Sequence, residues 1–325
     1  MKTNMDINIA IDEYDKDLNV DFDKVSHLLI AGKIGSGKST LLHRFISTLL
    51  EQNSPNNLKL VLVDTNKVEL SLYNKIPHLL TPVIDDARKA VLALKWATKE
   101  IERRLDVLKE NGCKNIDEYS GDKTMPRILV FVDDFSVLMQ NYPKDIEPAV
   151  VKIVNSGHVT GVHLILCSSR ANKKVFTEAI LSYIETRIVL QTSSTQDSKI
   201  MIGLTDAHNL RGAGDMIFRQ GQKYPIHAEV MSIARSQIKT QLMKLTGDQY
   251  MINIINDQSD YEANNDELYE DVKKEVIETH KASTSYIQRK FGIGYSRAAH
   301  LIEKLEERGV VGPANGSSPR EVMEK

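Results

Sequence analysis

The sequence predicts an α/β fold: a mostly parallel sheet with helices on both faces, followed by a small separate C-terminal domain. Three observations predict it. Five short apolar runs alternate with helical patterns as far as residue 245 or so. A polar, acidic stretch, "NDQSDYEANNDE" (256–267), then breaks the alternation. A second segment with helical periodicity follows. Strands that alternate with helices form parallel sheets, because each crossover helix returns the chain to the same sheet edge.

The expected strands are "HLLIAG" (27–32), "LKLVLVD" (58–64), "RILVFVDD" (127–134), "VHLILCSS" (162–169) and "TRIVLQT" (186–192). Unbroken apolar runs of this length suit strands buried on both faces. The longest helix should run from Asp85 to Glu110. Ala87, Val91, Leu94, Ile101, Leu105 and Leu108 fall near 3.6-residue spacing there, and Asp85 or Asp86 caps the start. These boundaries divide the chain into a first domain at 1–247, a linker at 248–265 and a second domain at 266–325.

The chain has 41% hydrophobic and 26% charged residues and a net charge of −2. That composition buries a real core and carries no global basic field, so any nucleic-acid site must be local. Cys113 and Cys167 have no metal or redox spacing, and Cys167 in "VHLILC" reads as a small core hydrophobe. The N-terminal "MKTNMDINIAIDEYDKD" lacks the apolar centre of a signal peptide, and no stretch approaches the length of a membrane span. The expectation is a cytoplasmic protein without a membrane partner.

"GKIGSGKS" (32–39) fits G-x-x-x-x-G-K-[ST] and stands between a strand and the helix "STLLHRFISTLL". That context makes it a P-loop. Gly32, Gly35 and Gly37 let backbone N–H groups close on phosphate, where side chains would obstruct the approach. Gly32, Lys33, Ile34, Gly35, Ser36, Gly37, Lys38, Ser39 and Thr40 form the expected cradle for ATP. Lys38 meets the β/γ-phosphates, and the Ser39 hydroxyl ligates Mg²⁺. "ILVFVDD" then drives apolar residues into two acids at a strand end. Asp133 is the expected Mg²⁺ ligand, through water, and Asp134 orients or deprotonates the attacking water.

Between Glu278 and Glu303 there is no acidic residue, while Lys281, Arg289, Lys290 and Arg297 fall inside that window. "KASTSYIQRKF" reads as the first helix of a helix-turn-helix, Gly292–Gly294 as the turn, and Tyr295 onward as the recognition helix. Ala298 and Ala299 allow close packing, with Leu301, Ile302 and Leu305 towards a core. "VVGPANGSSPREV" (310–322) has the composition of a wing hairpin. The pattern alone fits equally a helical bundle for protein contacts.

The motifs together resemble the FtsK/SpoIIIE DNA translocases. "HLLIAGKIGSGKST" is similar to that family's P-loop segment, and "ELSLYNKIPHLLTPVIDD" (69–86) to its more specific E-L-x-x-Y-x-x-I-P-H-L-L stretch. "KWATKEIERR" and "RGAGDMIF" (211–218) match too, and "KASTSYIQRKFGIGYSRAAHLIEKLEERGVV" (281–311) resembles its γ module, a winged helix that reads short DNA signals. The resemblance spans roughly residues 20–235 and 266–323. It implies a P-loop NTPase (RecA-like) motor moving double-stranded DNA through a homo-oligomeric ring, a hexamer. Lys281, Gln288, Arg289, Lys290, Tyr295, Ser296 and Arg297 become the expected DNA contacts. With about 26 residues before the first expected core strand, the expectation is a motor without the family's membrane region, long linker and α subdomain.

Several motor positions depart from the family. Asp134 stands where the second acid is usually Glu. In "CSSRA" (167–171) Ser169 replaces the glutamine that senses γ-phosphate, with Arg170 retained after it. His158 stands in place of an arginine that reaches a neighbour's ATP; His158, Arg170 or Arg187 could substitute for it. The D-P-K after the second strand reads "DTN" (64–66), with Lys67 displaced by one. These departures leave a second reading, a weakly or non-hydrolysing ATP-binding DNA adaptor.

Overall fold

The computed structural model describes residues 3–121, 125–245, 268–291, 293, 295–313 and 320–323. It divides into two compact units, Met1–Ile254 and Ile255–Lys325. The expected linker at 248–265 lies outside the described residues.

In the first unit, five parallel strands appear where the apolar runs predict them: β3 (Leu28–Ala31), β4 (Leu58–Asp64), β5 (Arg127–Asp133), β6 (Val162–Ser168) and β7 (Thr186–Leu190). Their spatial order is β7-β3-β6-β5-β4. Four further strands were not expected: β1 (Asp6–Asp12), β2 (Asp17–Asp21), β8 (Asp215–Gln220) and β9 (Ile226–Val230). They extend the sheet antiparallel beyond β7, in the order β8, β9, β1, β2. Two sheet strands thus lie within the 26 residues that precede the first expected one.

The central strands are buried throughout, and their two faces feed different layers. Leu28, Ile30, Leu60, Leu62, Leu129, Phe131, Ile165, Cys167, Ile188 and Leu190 share one apolar cluster with Leu42, Phe45 and Leu49 of helix α1 (Lys38–Gln52). Residues between them in sequence point to the other face. There α2 (Ala87–Glu110) packs on α4 (Pro143–Ser156), with the short α3 (Phe135–Asn141) alongside and α5 (Glu178–Tyr183) against α4. Helix α6 (Thr195–Ile202) follows β7, and α7 (Arg235–Lys244) returns to pack on α1.

Asp86 caps α2, accepting from the backbone N–H of Arg88 and Lys89. The expected apolar stripe fails at one turn. Leu105 is 36% exposed, while Arg104 beside it is buried, donating to Glu100 and to the Thr160 carbonyl. A guanidinium with both an acid and a carbonyl to satisfy it tolerates burial.

The second unit holds α8 (Tyr269–Thr279), α9 (Thr284–Phe291) and α10 (Tyr295–Glu307). Antiparallel bridges Ala282↔Arg320 and Val311↔Val322 make the base of the wing. Val272, Val276, Ile287, Ala298, Leu301, Ile302 and Leu305 form its separate core. Gly292, Gly294 and the wing tip (314–319) lie outside the described residues.

At the N-terminal ends of β3 and β6, two imidazoles are buried. Leu164 N–H donates to His27 Nδ1 at 3.1 Å, and His163 Nδ1 donates to the Ser26 carbonyl at 2.9 Å. Burial pushes His163 down to about 3 and His27 well below its usual value, so both are neutral in the fold. On unfolding they regain ordinary imidazole basicity, near 6.5. The unfolded chain then binds more protons, so stability falls as pH drops below 6.5 towards 3. Between pH 6.5 and 5 the loss should be roughly 2 kcal/mol for each imidazole held neutral. Urea unfolding at pH 7, 6 and 5 should show a midpoint that falls steadily, and a shallower fall in His163→Asn.

Candidate functional site

The C-terminal ends of β3, β6, β5 and β4 meet at one sheet edge. Gly32 N–H donates to the Ser168 carbonyl at 3.2 Å and Lys33 N–H to the Gln191 carbonyl at 2.7 Å, which fastens the P-loop to both neighbours of β3. The Lys38 ammonium curls back onto the loop, donating to the carbonyls of Gly32 (2.7 Å) and Lys33 (3.0 Å).

The loop glycines have more specific reasons than room for phosphate. A Cβ on Gly32 would sit 2.6 Å from Ser36 Oγ and 2.9 Å from Leu190 Cβ. On Gly37, at φ +110°, it would meet the Gly214 backbone at 2.8 Å. At Gly35 the space is open, and φ +78° is what favours glycine.

Gly214 belongs to a brace that residue spacing does not reveal. Gly212, Ala213 and Gly214 all have positive φ, and Gly214 N–H donates to the Ser36 carbonyl at 2.9 Å. Its own carbonyl accepts from Val230 of β9. The "RGAGD" motif thus ties the P-loop to the antiparallel strands. The sequence signal was present in its two glycines; the partner, 178 positions away, was not.

Asp133 and Asp134 end β5 beside this loop. Asp133 pairs in register with Asp64 at the end of β4. Burial, then the Asp64 and Asp134 charges, push the Asp133 carboxyl up to about 6. Asp64 caps the turn that follows it, accepting from the N–H groups of Asn66, Glu69 and Leu70. Asp134 takes a left-handed conformation, φ 58°. Its Oδ1 accepts from the hydroxyls of Ser136 (2.5 Å) and Ser169 (3.3 Å). Ser169 thus stands next to the second acid.

The other expected residues divide. Arg170 is exposed at the same edge, its backbone held by Ser168 Oγ. Arg187 cannot serve as a substitute for the missing arginine. Its guanidinium donates to the carbonyls of Leu181 (2.6 Å), Met201 (2.8 Å) and Ile184 (3.0 Å), which consumes it structurally. His158 lies in a 3₁₀ turn, His158–Thr160, at the opposite end of β6. Seven strand residues, about 20 Å, separate it from the P-loop edge of its own chain. It lines a polar cavity of about 250 Å³ with Asp23, Lys24, Lys114 and Arg127. The displaced Lys67 pairs with Asp85 at 3.0 Å.

The residues fit a magnesium nucleotide. Helix α1 starts at Gly37 with no side-chain cap and no acid in its first turn, so its N-terminal N–H groups remain open to an anion. Ser36 Oγ is buried among them without a partner. Lys38 adds a cation, and Asp133 offers an acidic ligand at the end of β5, across β6 from β3.

In the second unit Lys281, Arg289 and Lys290 are exposed and Gln288 is half-buried. The Lys281 ammonium lies 5.4 Å from the centre of the Tyr286 ring. Lys290 Nζ is 3.2 Å from Glu275 Oε1. The α10 backbone begins at Tyr295 as expected, but the side chains of Tyr295, Ser296 and Arg297 lie outside the described residues.

The profile of the FtsK/SpoIIIE family matches residues 2–124, and that of the Ftsk gamma domain matches residues 263–325. The chain belongs to the FtsK/SpoIIIE family. The DNA translocase FtsK of Clostridium tetani is 36% identical over 320 residues, covering 93% of this chain and 43% of that protein. DNA translocase SftA of Bacillus subtilis is 36% identical over 324 residues, covering 94% of this chain and 33% of that one. The chain therefore spans about two-fifths or less of these FtsK/SpoIIIE relatives. Among solved structures, the pCW3 conjugation coupling protein TcpA with ATPγS superposes with a TM-score of 0.66 at 24% identity, over 75% of this chain and 71% of that one. The type VII secretion ATPase EccC of Thermomonospora curvata gives 0.66 at 21%, over 78% and 32%. Both share the fold of the first unit. Among the described residues, no helix is long and apolar enough to cross a membrane.

The raised Asp133 carboxyl carries a stability cost at neutral pH. An acid whose folded pKa exceeds its unfolded one loses stability as pH rises through the folded value. Asp133→Asn should therefore stabilise the nucleotide-free protein at pH 7.5, by roughly 1–3 kcal/mol. Thermal unfolding of both forms should show that gap at pH 7.5 and a smaller one at pH 5.

Proposed function

We propose that this chain is an ATPase that drives double-stranded DNA through a ring of identical subunits, a hexamer. The observation that carries the reading is the convergence of Lys38, Asp133 and Asp134 on one sheet edge, in a chain that also holds a winged-helix unit. ATP would lie on residues 32–40, with Ser39 and Asp133 holding Mg²⁺. The bound Mg²⁺ supplies a Lewis acid that neutralises charge on the phosphates. Lys38 leaves the Gly32 and Lys33 carbonyls for the phosphate oxygens, adding a second positive charge. The N–H groups at the start of α1 hold the same oxygens in place. Asp134 accepts a proton from the attacking water and orients it.

His158 faces away from its own P-loop, so its part in phosphoryl transfer would be on a neighbouring subunit. An imidazole is a weaker cation than a guanidinium at neutral pH, and turnover should be limited accordingly. The winged helix would load or orient the motor on duplex DNA, with α10 in the major groove. A cytoplasmic location goes with this reading, because the DNA lies there.

One observation favours a second reading, a weakly or non-hydrolysing adaptor. The Asp134 side chain is a methylene shorter than glutamate, and one of its oxygens is already bonded to two hydroxyls.

ATP turnover with and without duplex DNA separates the two. The motor reading expects DNA-stimulated turnover that Lys38→Ala lowers about a hundredfold or more. His158→Arg should raise or preserve it. With DNA and a slowly hydrolysed ATP analogue, the protein should sediment as a hexamer. Wild-type turnover equal to that of Lys38→Ala would leave the adaptor standing.

A further inference from the structure

In sequence, the window from 279 to 302 is free of acids. In the fold it is not. Glu275 of α8 reaches into it and joins the side chains of α9. Its Oε1 accepts a hydrogen bond from the Tyr286 hydroxyl at 2.5 Å and lies 3.2 Å from Lys290 Nζ. The Lys281 ammonium sits over the ring of the same Tyr286. Two of the expected DNA contacts thus meet this pair, Lys290 at the carboxylate and Lys281 at the tyrosine ring. The Glu275 side chain is 16% exposed and that of Lys290 50%, so the acid is the more covered member of the pair.

Resting on the DNA-binding reading above, we propose that Glu275 is an affinity-limiting residue of the DNA face, which holds Lys290 and keeps the phosphate grip of the winged helix weak. Two physical effects combine. Lys290 already has a counter-charge in the protein, so meeting a phosphate releases less condensed salt than a bare lysine would. The Tyr286 hydrogen bond, the largest influence, and then Lys290 hold the Glu275 carboxyl below its usual range, so it stays ionised at neutral pH. It cannot swing away freely, because the tyrosine fixes it. The remaining negative charge then repels the DNA backbone.

Phosphate contacts carry no sequence information, whereas base contacts do. Weakening the former shifts the balance of binding towards the recognition helix. It also lets a duplex slide past a reader that must not anchor it. Glu275 thus sets how strongly the unit holds any duplex, without touching a base.

The test uses the full chain and a short duplex of random sequence, without nucleotide, over a salt series. Glu275→Gln keeps the shape and can still accept from Tyr286. It should tighten binding about two- to fivefold at low salt, the range of an exposed ion pair. The slope of log affinity against log salt should steepen by about 0.9. Lys290→Gln should cost more in the Glu275→Gln background than in the wild type. Unchanged or weaker binding by Glu275→Gln, with wild type still binding duplex, would overturn the proposal and leave DNA recognition intact. Failure of both proteins to bind any duplex at low salt would overturn the DNA-binding reading together with it.

Discussion

The pairing of β6 between β3 and β5 is the constraint on which the rest of the site depends. Leu28 to Ala31 run in register with Ile165 to Ser168, and Ile128 to Val132 with Val162 to Leu166. That alignment brings the P-loop, Ser169 and the Asp133–Asp134 pair to the same edge. It also supplies the Gly32–Ser168 hydrogen bond that starts the loop. A slip of two residues on either side would keep the apolar faces matched but move the acids by about 7 Å. The Gly32–Ser168 and Lys33–Gln191 bonds hold the register at this edge together with the core.

Concentrating charge there works against folding. Asp133 is driven towards its neutral form by burial, and the Lys38 ammonium is disfavoured for the same reason. Asp134 and Ala213 hold left-handed backbone that most residues avoid. The cost is met by the apolar layer directly behind the edge, where β3 to β7 are buried along almost their full length. Helix α1 belongs to both systems, with its first turn at the loop and Leu42, Phe45 and Leu49 in the core.

What was legible in the sequence follows from how local the signal is. The five parallel strands show as unbroken apolar runs, because both their faces are covered. β1, "DINIAID", alternates and sits near a sheet edge, so its pattern carries half the signal and lies in a stretch read only for targeting features. β8 lies inside the "RGAGDMIF" motif, whose family likeness masks the strand pattern, and β9, "IHAEV", buries only Ala228 and Val230. The P-loop was legible whole, since its glycines, lysine and serine are adjacent in sequence. The brace from Gly214 to Ser36 was not, because nothing local names the partner.

The same limit applies to charge. Arg187 reads as a spare cation in "TRIVLQT", yet three carbonyls from neighbouring turns consume it. The basic window of the second unit reads as unopposed, yet Glu275 enters it from the preceding helix. In both places the partner comes from a nearby turn or the preceding helix, which residue spacing alone does not aim at the cation. A cation's availability is therefore a property of the fold, and its position on the sheet decides its use. His158 makes this plain. It lies at the far end of β6 from its own P-loop, in a cavity shared with Asp23, Lys24, Lys114 and Arg127.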